Sequence, residues 1–397
     1  MPETEKYKEI VRTTLPNLNS LRFIAALLVL IGHVNAGLQW NGYKSSNSFV
    51  FEFAPLSVVF FFVLSGFLIT YLLLHEKEKR EISVKKFYLK RILRIWPLYY
   101  LLIILSFAFL NHSKFFSWHL VTDTSTFTNH PGFYSILILF ICPNIALLFT
   151  PSFGYATVAW SIGVEEQFYL LWPWIMKSRR PIVYIMVIIL SVYLLSTGLL
   201  GRILQVINIP YKLSVVLWQV SNLFTKWFSF KIDAMAIGAL GAFLAYHKSP
   251  LLKNVFNKGF QIFMYAVLLL LMAYGRYIPY QFFSIIFILI ILNMAINNQN
   301  IFNLENRVFN YLGKISYGIY MLHMVTIMPA IYLCIFVFRL PQNIFTEILI
   351  CFISLATTVA IASVSYRYFE GYFLKIKDKI ATKKLQSGEK RIAAAFK

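Results

Sequence analysis

An arginine and a histidine share one face of an apolar segment near the start of the chain. The segment, Leu18–Trp40, is about as long as a bilayer is thick. Because a helix turns ~100° and rises ~1.5 Å per residue, Arg22 and His33 lie on nearly the same face, about 16 Å apart. Ionisable side chains inside a membrane usually face a bundle interior or a water-filled cavity, so the pattern predicts a functional groove. The alternatives are an arginine that binds lipid phosphates and a histidine bonded to a neighbouring carbonyl.

A pair of carboxylates lies in a later apolar segment, WSIGVEEQFYLLWP. Ser161, Glu165 and Tyr169 repeat at intervals of four and share a helix face, directly after Trp160. Under the topology derived below, this face lies at the depth of the histidine of the first span. A carboxylate there is suited to orient an imidazole and to stabilise its protonated form. The alternative is a carboxylate bonded to free N–H groups at a helix start, for which Glu166 is an equal candidate.

Two arginines open the third apolar segment, in the sequence KRILRIWPLYY. Arg91 and Arg94 are three residues apart, so their guanidinium groups share one helix face. Such a fork suits bidentate binding of phosphate. The alternative is that these basic residues only fix the topology and meet anionic lipid.

Two further features are weaker. Ser65 and Gly66 interrupt the apolar run FFVLSGFLIT, which leaves a notch for a slender ligand or, alternatively, for a closely packed helix. His323 lies in the middle of a span, in LGKISYGIYMLHM. A satisfied core histidine explains it as well as a functional one does.

Composition predicts the fold class. The chain has 397 residues, of which 59% are hydrophobic and 13% are charged, and its long apolar runs extend from residue 21 to residue 369. These values predict an all-α polytopic membrane bundle with no soluble domain of any size. The first span follows a polar start without a cleavage pattern and is expected to be retained. Three cysteines at unrelated spacings and irregularly spaced histidines in residues 111–132 predict neither a disulfide framework nor a metal site.

The distribution of charge predicts the topology. The net charge is +21, and basic residues cluster in residues 75–94, 177–180, 247–258 and 375–397, which the positive-inside rule assigns to the cytoplasmic side without any need for nucleic acid. Eleven segments are long enough to span the bilayer. They are residues 21–40, 49–74, 95–110, 133–150, 158–176, 181–201, 230–247, 259–274, 278–296, 313–337 and 344–369.

One of the eleven segments must not cross, because eleven crossings would put the basic tail opposite the basic loop at residues 75–94. Residues 133–150 are short and are interrupted by Cys142-Pro143-Asn144, so we expect a re-entrant or broken segment there. About ten spans remain, with both termini cytoplasmic. The predicted organisation is a cytoplasmic segment at 1–17, a membrane domain at 18–375 and a basic cytoplasmic tail at 376–397.

The chain resembles a known family in seven motifs that occur in one order. They are LNSLRFIAALLVLIGHV, FFVLSGFLIT, KRILRIWPLYY, WSIGVEEQFYLLWP, IDAMAIGALGAFLA, LGKISYGIYMLHM and SYRYFE. Over about residues 17–375 they resemble the membrane acyltransferase-3 family, bacterial O-acyltransferases that modify cell-envelope glycans. The resemblance implies an enzyme of the bacterial cytoplasmic membrane that moves an acyl group, usually acetyl, from cytoplasmic acyl-coenzyme A to a carbohydrate hydroxyl. Acyl-coenzyme A is then a substrate, and no tightly bound cofactor is expected.

The resemblance also implies roles for individual residues. The family's arginine and histidine of the first span fall on Arg22 and His33, its arginine pair falls on Arg91 and Arg94, and its acidic W-S-x-x-x-E position falls on Glu165. We expect the arginine pair to hold the donor phosphates while the pantetheine arm passes the notch in the second span. Trp160, Ser161, Tyr169 and His323 are expected to lie on the acceptor side or to be structural.

The chemistry at His33 stays open at this point. The imidazole is suited to act as a general base on a sugar hydroxyl, and equally to take the acyl group itself and hand it on. Some family members carry a fused extracytoplasmic hydrolase-like domain. We expect none after the last span here, so that transfer ends in the membrane domain or with a separate extracytoplasmic partner. Gly371-Tyr372 replaces the family's common Lys-Pro, which weakens any role for Glu370.

A proton-coupled transporter or exporter is the alternative function, because intramembrane His, Arg and Glu residues also occur in carriers. Carriers often contain two similar halves, and this sequence shows no such repeat. A non-catalytic scaffold would not need a buried histidine.

Overall fold

The computed structural model describes residues 15–43, 54–112, 116, 131–150, 152–196, 198, 201–203, 211–274 and 278–379. Every regular element in this part of the chain is helical, which confirms the predicted all-α class. The helices are α1 Leu18–Trp40, α2 Ala54–Lys79, α3 Val84–Leu105, α4 Pro131–Leu139, α5 Pro143–Ala146, α6 Trp160–Lys177, α7 Pro181–Ser196, α8 Tyr211–Phe228, α9 Ile232–Tyr246, α10 Leu252–Val255, α11 Lys258–Tyr274, α12 Tyr280–Ile296, α13 Arg307–Lys314, α14 Ser316–Ile331 and α15 Ile344–Val364. Single π-helical segments follow α3, α14 and α15.

Five helices in the described ranges are long and apolar enough to cross a membrane, or six if α8 and α9, bent by 45°, form one span. They are Leu18–Trp40, Pro55–Lys79, Val84–Leu110, Ser316–Val337 and Ile344–Lys379. The predicted count of ten spans is therefore not confirmed. The apolar helices α7, α11 and α12 have only 16, 17 and 17 residues. Helix α6 has 18 residues but includes Glu165, Glu166 and Lys177, so it is less apolar than its neighbours.

The segment expected to be re-entrant or broken is interrupted where the sequence indicates. Helix α4 ends at Leu139, and α5 begins at Pro143, where proline needs no N–H partner. The side-chain amides of Asn144 and Gln167 exchange two hydrogen bonds of 3.2 and 3.0 Å. These bonds fix the second half of the broken segment against α6.

Helices α2 and α9 approach each other closely through two glycines. A Cβ atom on Gly66 would lie 1.9 Å from the Met235 carbonyl oxygen, and one on Gly238 would lie 2.0 Å from the Val63 carbonyl oxygen. The structure thereby corrects the expectation that Gly66 forms a notch for the donor. Its open side is filled by the backbone of α9, and only Ser65 faces a cavity.

The helices that enclose the interior have defined relative directions. Helices α1 and α14 are parallel, since Gly313, in α13 just before α14, packs on the Asn19 carbonyl near the start of α1, and Ile331 at the end of α14 packs on Gly37 near the end of α1. Helix α2 is parallel to α6, with Ser65 bonded to Glu165 and, further along both helices, Lys77 bonded to the Met176 carbonyl. Spans related by an even number of crossings must be parallel, and both pairs satisfy this requirement of the predicted topology.

We expect Gly66→Ala and Gly238→Ala each to lower the stability of the folded protein by roughly 1–3 kcal/mol, because the backbones of α2 and α9 must separate to admit a methyl group. Thermal denaturation of the detergent-solubilised protein, followed by size-exclusion chromatography, measures this loss. Gly132→Ala is the matched control, since a Cβ there meets no atom within 4 Å. Equal heat resistance of all three variants and the wild type would contradict the close packing.

Candidate functional site

A cavity lies between α1, α2, α3, α6 and α14. It gathers side chains that are far apart in the sequence and that include most of the polar residues predicted to act in the site. Its polar lining consists of Arg22, Ser65, Arg91, Arg94, Ser161, Glu165, Tyr169, Ser316, Tyr317 and Tyr320.

A second cavity lies towards the start of α1, where Leu15, Leu18 and Asn19 line it. Five residues line both cavities and so form the junction between them. They are Arg22, Ser65, Arg91, Arg94 and Tyr169. The two cavities therefore adjoin at the arginine side chains.

The three arginines of the junction have no direct ion-pair partner among the described residues. Within the described residues, no carboxylate oxygen lies within 4.0 Å of a guanidinium nitrogen of Arg22, Arg91 or Arg94. The Arg91 guanidinium lies 5.6 Å from the Tyr169 ring centre and 5.7 Å from that of Phe87. Aromatic faces attract a cation but do not neutralise it. A cluster of guanidinium groups without a directly bonded carboxylate is suited to bind an anion with several oxygens.

Both oxygens of the Glu165 carboxylate are occupied. The Ser65 hydroxyl donates to one at 2.9 Å, and the Tyr169 hydroxyl donates to the other at 3.2 Å. The predicted pairing of Glu165 with His33 is not what the structure shows, since His33 instead bonds through Nδ1 to the Val29 carbonyl oxygen at 2.9 Å. Helix α6 packs on α2 and α3, so Glu165 faces α2 at the arginine junction and not the outer half of α1.

Glu166 points away from the cavity. The Trp96 indole donates to one of its oxygens at 3.2 Å, and its other oxygen is buried with no hydrogen-bond partner in the described part of the chain. Helix α6 has no acidic residue in its first turn. The alternative that Glu165 or Glu166 bonds free N–H groups at a helix start is therefore wrong.

His33 and His323 are in contact, a pairing that neither segment of sequence predicts alone. Their ring centres are 4.7 Å apart, and the rings are inclined by 58°. His33 is partly exposed, whereas His323 is 1% exposed and bonds through Nδ1 to the Tyr320 carbonyl oxygen at 2.5 Å. Neither histidine lines the two cavities, but Tyr320 lines the inner one and its ring centre lies 5.9 Å from that of His323.

The remaining predicted residues divide between the two ends of the cavity. Ser161 bonds to the Tyr320 hydroxyl at 2.7 Å on the side of the histidines. Tyr169, expected on the acceptor side or as a structural residue, lies at the arginine junction, where its hydroxyl bonds to Glu165. Trp160 packs its ring on Phe62 and Phe230 and does not line either cavity, so its contacts are those of a packing residue.

Two tyrosines of the cavity wall, Tyr317 and Tyr320, were not predicted as site residues. Both belong to the SYGIY part of the motif LGKISYGIYMLHM, where their spacing of three puts them on one helix face. The only sequence signal was therefore their proximity to His323. The histidines predicted not to bind metal at positions 119 and 130 lie outside the described residues, as does most of the tail.

Comparison with known proteins agrees with the family resemblance of the motifs. A family model described as an acyltransferase domain, Acyl_transf_3, matches residues 15–367. The peptidoglycan O-acetyltransferase OatA of Listeria monocytogenes is 27% identical over 96% of this chain and 60% of its own length. A putative O-acetyltransferase of Staphylococcus aureus is 26% identical over 93% of this chain and 58% of its own length.

A shorter match joins the chain to the O-acetyltransferase OatA of Staphylococcus aureus, with 32% identity over 40% of this chain and 24% of the relative. The chain spans about 60% of the length of the relatives it matches most extensively. No solved structure matches. Because the family model covers most of its length, the chain belongs to the acyltransferase-3 family, as its ordered motifs predict.

Proposed function

We propose that the chain is a membrane O-acyltransferase that moves an acyl group, usually acetyl, from cytoplasmic acyl-coenzyme A to a hydroxyl of a cell-surface or lipid-linked carbohydrate. The observation that carries this proposal is the cluster of Arg22, Arg91 and Arg94 at the junction of the two cavities, with no carboxylate paired to it among the described residues. A coenzyme A thioester combines anionic phosphates with a thin neutral arm, and this arrangement offers a complementary site for each part.

The donor binds with its phosphates at the arginines. The Arg91 guanidinium lies close to the rings of Phe87 and Tyr169, which meet edge to face with their centres 6.3 Å apart, and these contacts hold the side chain in place before a ligand arrives. Ser65 bonds to Glu165 and thereby keeps this carboxylate away from direct pairing with the arginines. The pantetheine arm then enters the inner cavity along the face of α1 that leads from Arg22 to His33.

His33 performs the acid–base or nucleophilic step. Its Nδ1 faces the Val29 carbonyl, which only accepts hydrogen bonds, so Nδ1 carries the proton and Nε2 is the basic nitrogen. Acting as a base, Nε2 takes the acceptor's hydroxyl proton while the hydroxyl oxygen bonds to the acyl carbon and the carbon–sulfur bond breaks. Transfer through an acyl group on Nε2 uses the same atom, and the two routes share the same prediction for loss of His33.

The acceptor approaches from the opposite side of the membrane. The printed names of the relatives, peptidoglycan O-acetyltransferase and O-acetyltransferase, favour a cell-wall glycan. A separate extracytoplasmic partner that passes the acyl group on to the glycan is compatible with the same donor chemistry. The proposed location is the bacterial cytoplasmic membrane, with both termini and residues 75–94 cytoplasmic, as the distribution of basic residues and the parallel pairs α1–α14 and α2–α6 support.

The proposed topology predicts opposite labelling of two engineered cysteines. In a variant without the native cysteines at 142, 334 and 351, Ser83→Cys should react with a membrane-impermeant maleimide only after cells are permeabilised, and Ser117→Cys should react in intact cells. Mass shift of the labelled protein on a gel is the readout. The reverse pattern would place the arginine junction on the wrong side for a cytoplasmic donor.

Replacement of His33 should nearly abolish transfer. We expect His33→Ala to lower the rate by roughly 10²–10⁴-fold, the usual contribution of a general base, while the protein stays folded and inserted. The assay follows labelled acetyl from acetyl-coenzyme A into the glycan fraction of membrane vesicles, with mass spectrometry of the released glycans. His112→Ala, which removes an exposed histidine at the end of α3, should keep the wild-type rate. Full activity of His33→Ala at saturating donor would remove His33 from the mechanism.

Replacement of the arginine pair should act mainly through the donor. Loss of one charge-assisted phosphate contact in Arg94→Ala should cost about 1.5–3 kcal/mol, or roughly ten- to a hundredfold in affinity for acetyl-coenzyme A. Arg91→Lys should recover only part of the wild-type affinity, because lysine keeps the charge but neither the planar fork nor the stacking on Tyr169. Isothermal titration of the purified protein measures both effects.

Arg80→Ala is the matched control for these variants. Arg80 belongs to the same basic region but forms an exposed pair with Glu76 at 3.1 Å and lines neither cavity. Its donor affinity should stay at the wild-type value. If the arginine pair only fixed topology, lysine would be fully tolerated at position 91 and donor affinity would be unchanged in correctly inserted Arg94→Ala, which would favour the transporter alternative.

A further inference from the structure

We propose that His323 is a positioning residue for His33: its free Nε2 stabilises the protonated His33 that forms when the acceptor hydroxyl loses its proton. This inference rests on the proposed function and assigns a role to a residue that acts through another. Three observations support it. They are the contact of the two rings, the orientation of each imidazole, and the absence, among the described residues, of an acidic side chain bonded to either ring.

The two imidazoles are held together by the packing of their helices. On one side of the pair Gly313 packs on the Asn19 carbonyl, and on the other side Ile331 packs on Gly37, so α1 and α14 are fixed at both ends of the contact. The ring centres are 4.7 Å apart. A charge that forms on His33 is therefore in direct contact with the His323 ring.

Each imidazole is oriented in the same way by its own helix. Nδ1 of His33 donates to the Val29 carbonyl at 2.9 Å, and Nδ1 of His323 donates to the Tyr320 carbonyl at 2.5 Å. Since a carbonyl cannot donate, both rings are in the tautomer with a basic Nε2. Nε2 of His323 is buried and has no hydrogen-bond partner in the described part of the chain. A buried acceptor without a partner is unfavourable, and a donor that appears during the reaction would satisfy it.

No carboxylate is available for this task. Within the described ranges neither imidazole bonds to an acidic side chain, and Glu165 is bonded to Ser65 and Tyr169 instead. Glu165, which the sequence analysis assigned to orient the imidazole, is therefore not beside His33. The ring of His323 is instead in contact with that of His33, and it offers a neutral lone pair in place of a charge.

The proton balance of the transfer needs such a partner. The acceptor O–H bond breaks, its oxygen bonds to the acyl carbon, and the proton moves to Nε2 of His33. The carbon–sulfur bond breaks, and the same proton ends on the departing thiolate sulfur, which leaves coenzyme A as the free thiol. Between these events the proton is on His33, and the Nε2 lone pair of His323 stabilises the positive charge that it brings. The charge is gone from both histidines once the thiol has formed.

Two substitutions separate this role from simple core packing. His323→Phe keeps a ring but has no acceptor, and His323→Gln keeps an acceptor oxygen without the ring. We expect His323→Phe to lower the maximal rate of acetyl transfer by roughly 10- to 100-fold, below the full effect of losing the base. The donor KM should stay at the wild-type value, and His323→Gln should recover part of the rate. If His323 is only a packing residue, His323→Phe should transfer faster than His323→Gln, because phenylalanine is better tolerated than glutamine in an apolar core.

The assay follows labelled acetyl from acetyl-coenzyme A into the glycan fraction of membrane vesicles, normalised to the folded protein measured by size-exclusion chromatography. Thr358→Val on the neighbouring helix α15 is the control, since it removes a buried hydroxyl that bonds to the Ser354 carbonyl at 2.6 Å and to neither histidine. Its normalised rate should match the wild type. If His33→Ala is inactive but His323→Phe transfers at the wild-type rate, the inference falls and the proposed function stands. If His33→Ala is also fully active, the base assignment falls, and the inference with it.

Discussion

The structure depends on one constraint, which is that three guanidinium groups lie in a low-dielectric interior without a directly bonded carboxylate. A guanidinium group inside a membrane needs water, a carboxylate or an anionic ligand, and the cluster of Arg22, Arg91 and Arg94 has no paired carboxylate in the described residues. The cavities on both sides of the cluster supply the space for water or a ligand. Glu165 is close enough to reduce the net charge, but its hydrogen bonds to Ser65 and Tyr169 hold it out of direct contact with the arginines. The site is thereby kept ready to bind an anion.

The close contact of α2 with α9 explains how that geometry is maintained. Gly66 faces the backbone of α9, and because successive residues of a helix are ~100° apart, the neighbouring Ser65 points into the cavity. A side chain at position 66 would push α2 away from α9 and turn Ser65 relative to Glu165. The packing interpretation of Gly66 and the functional interpretation of Ser65 are therefore two consequences of one contact.

Sequence reasoning identified local features well and tertiary contacts poorly. The shared faces of Arg91 with Arg94 and of Ser161 with Glu165 and Tyr169 follow from helix periodicity, and these residues do line one cavity. The break at Pro143 follows from the chemistry of proline. The pairing of His33 with His323 needs the parallel packing of α1 on α14, which no local pattern encodes. The span count failed for a related reason, since several apolar helices are too short to span by length alone and their depth depends on their neighbours.

The distance between the arginine junction and the histidine pair suits a donor with a charged head and a neutral arm. On α1 the two positions are about 16 Å apart, and between them the inner cavity is lined by Ser161 and Tyr320, which bond to each other at 2.7 Å. Phosphates that remain at the arginines never enter the apolar part of the bundle, where their desolvation would be most unfavourable. Only the uncharged arm and the acyl group have to pass Tyr320 to reach His33. In the proposed function, this division of the site into a cationic end and a histidine end keeps the anionic carrier at the arginines while the acyl group reaches His33.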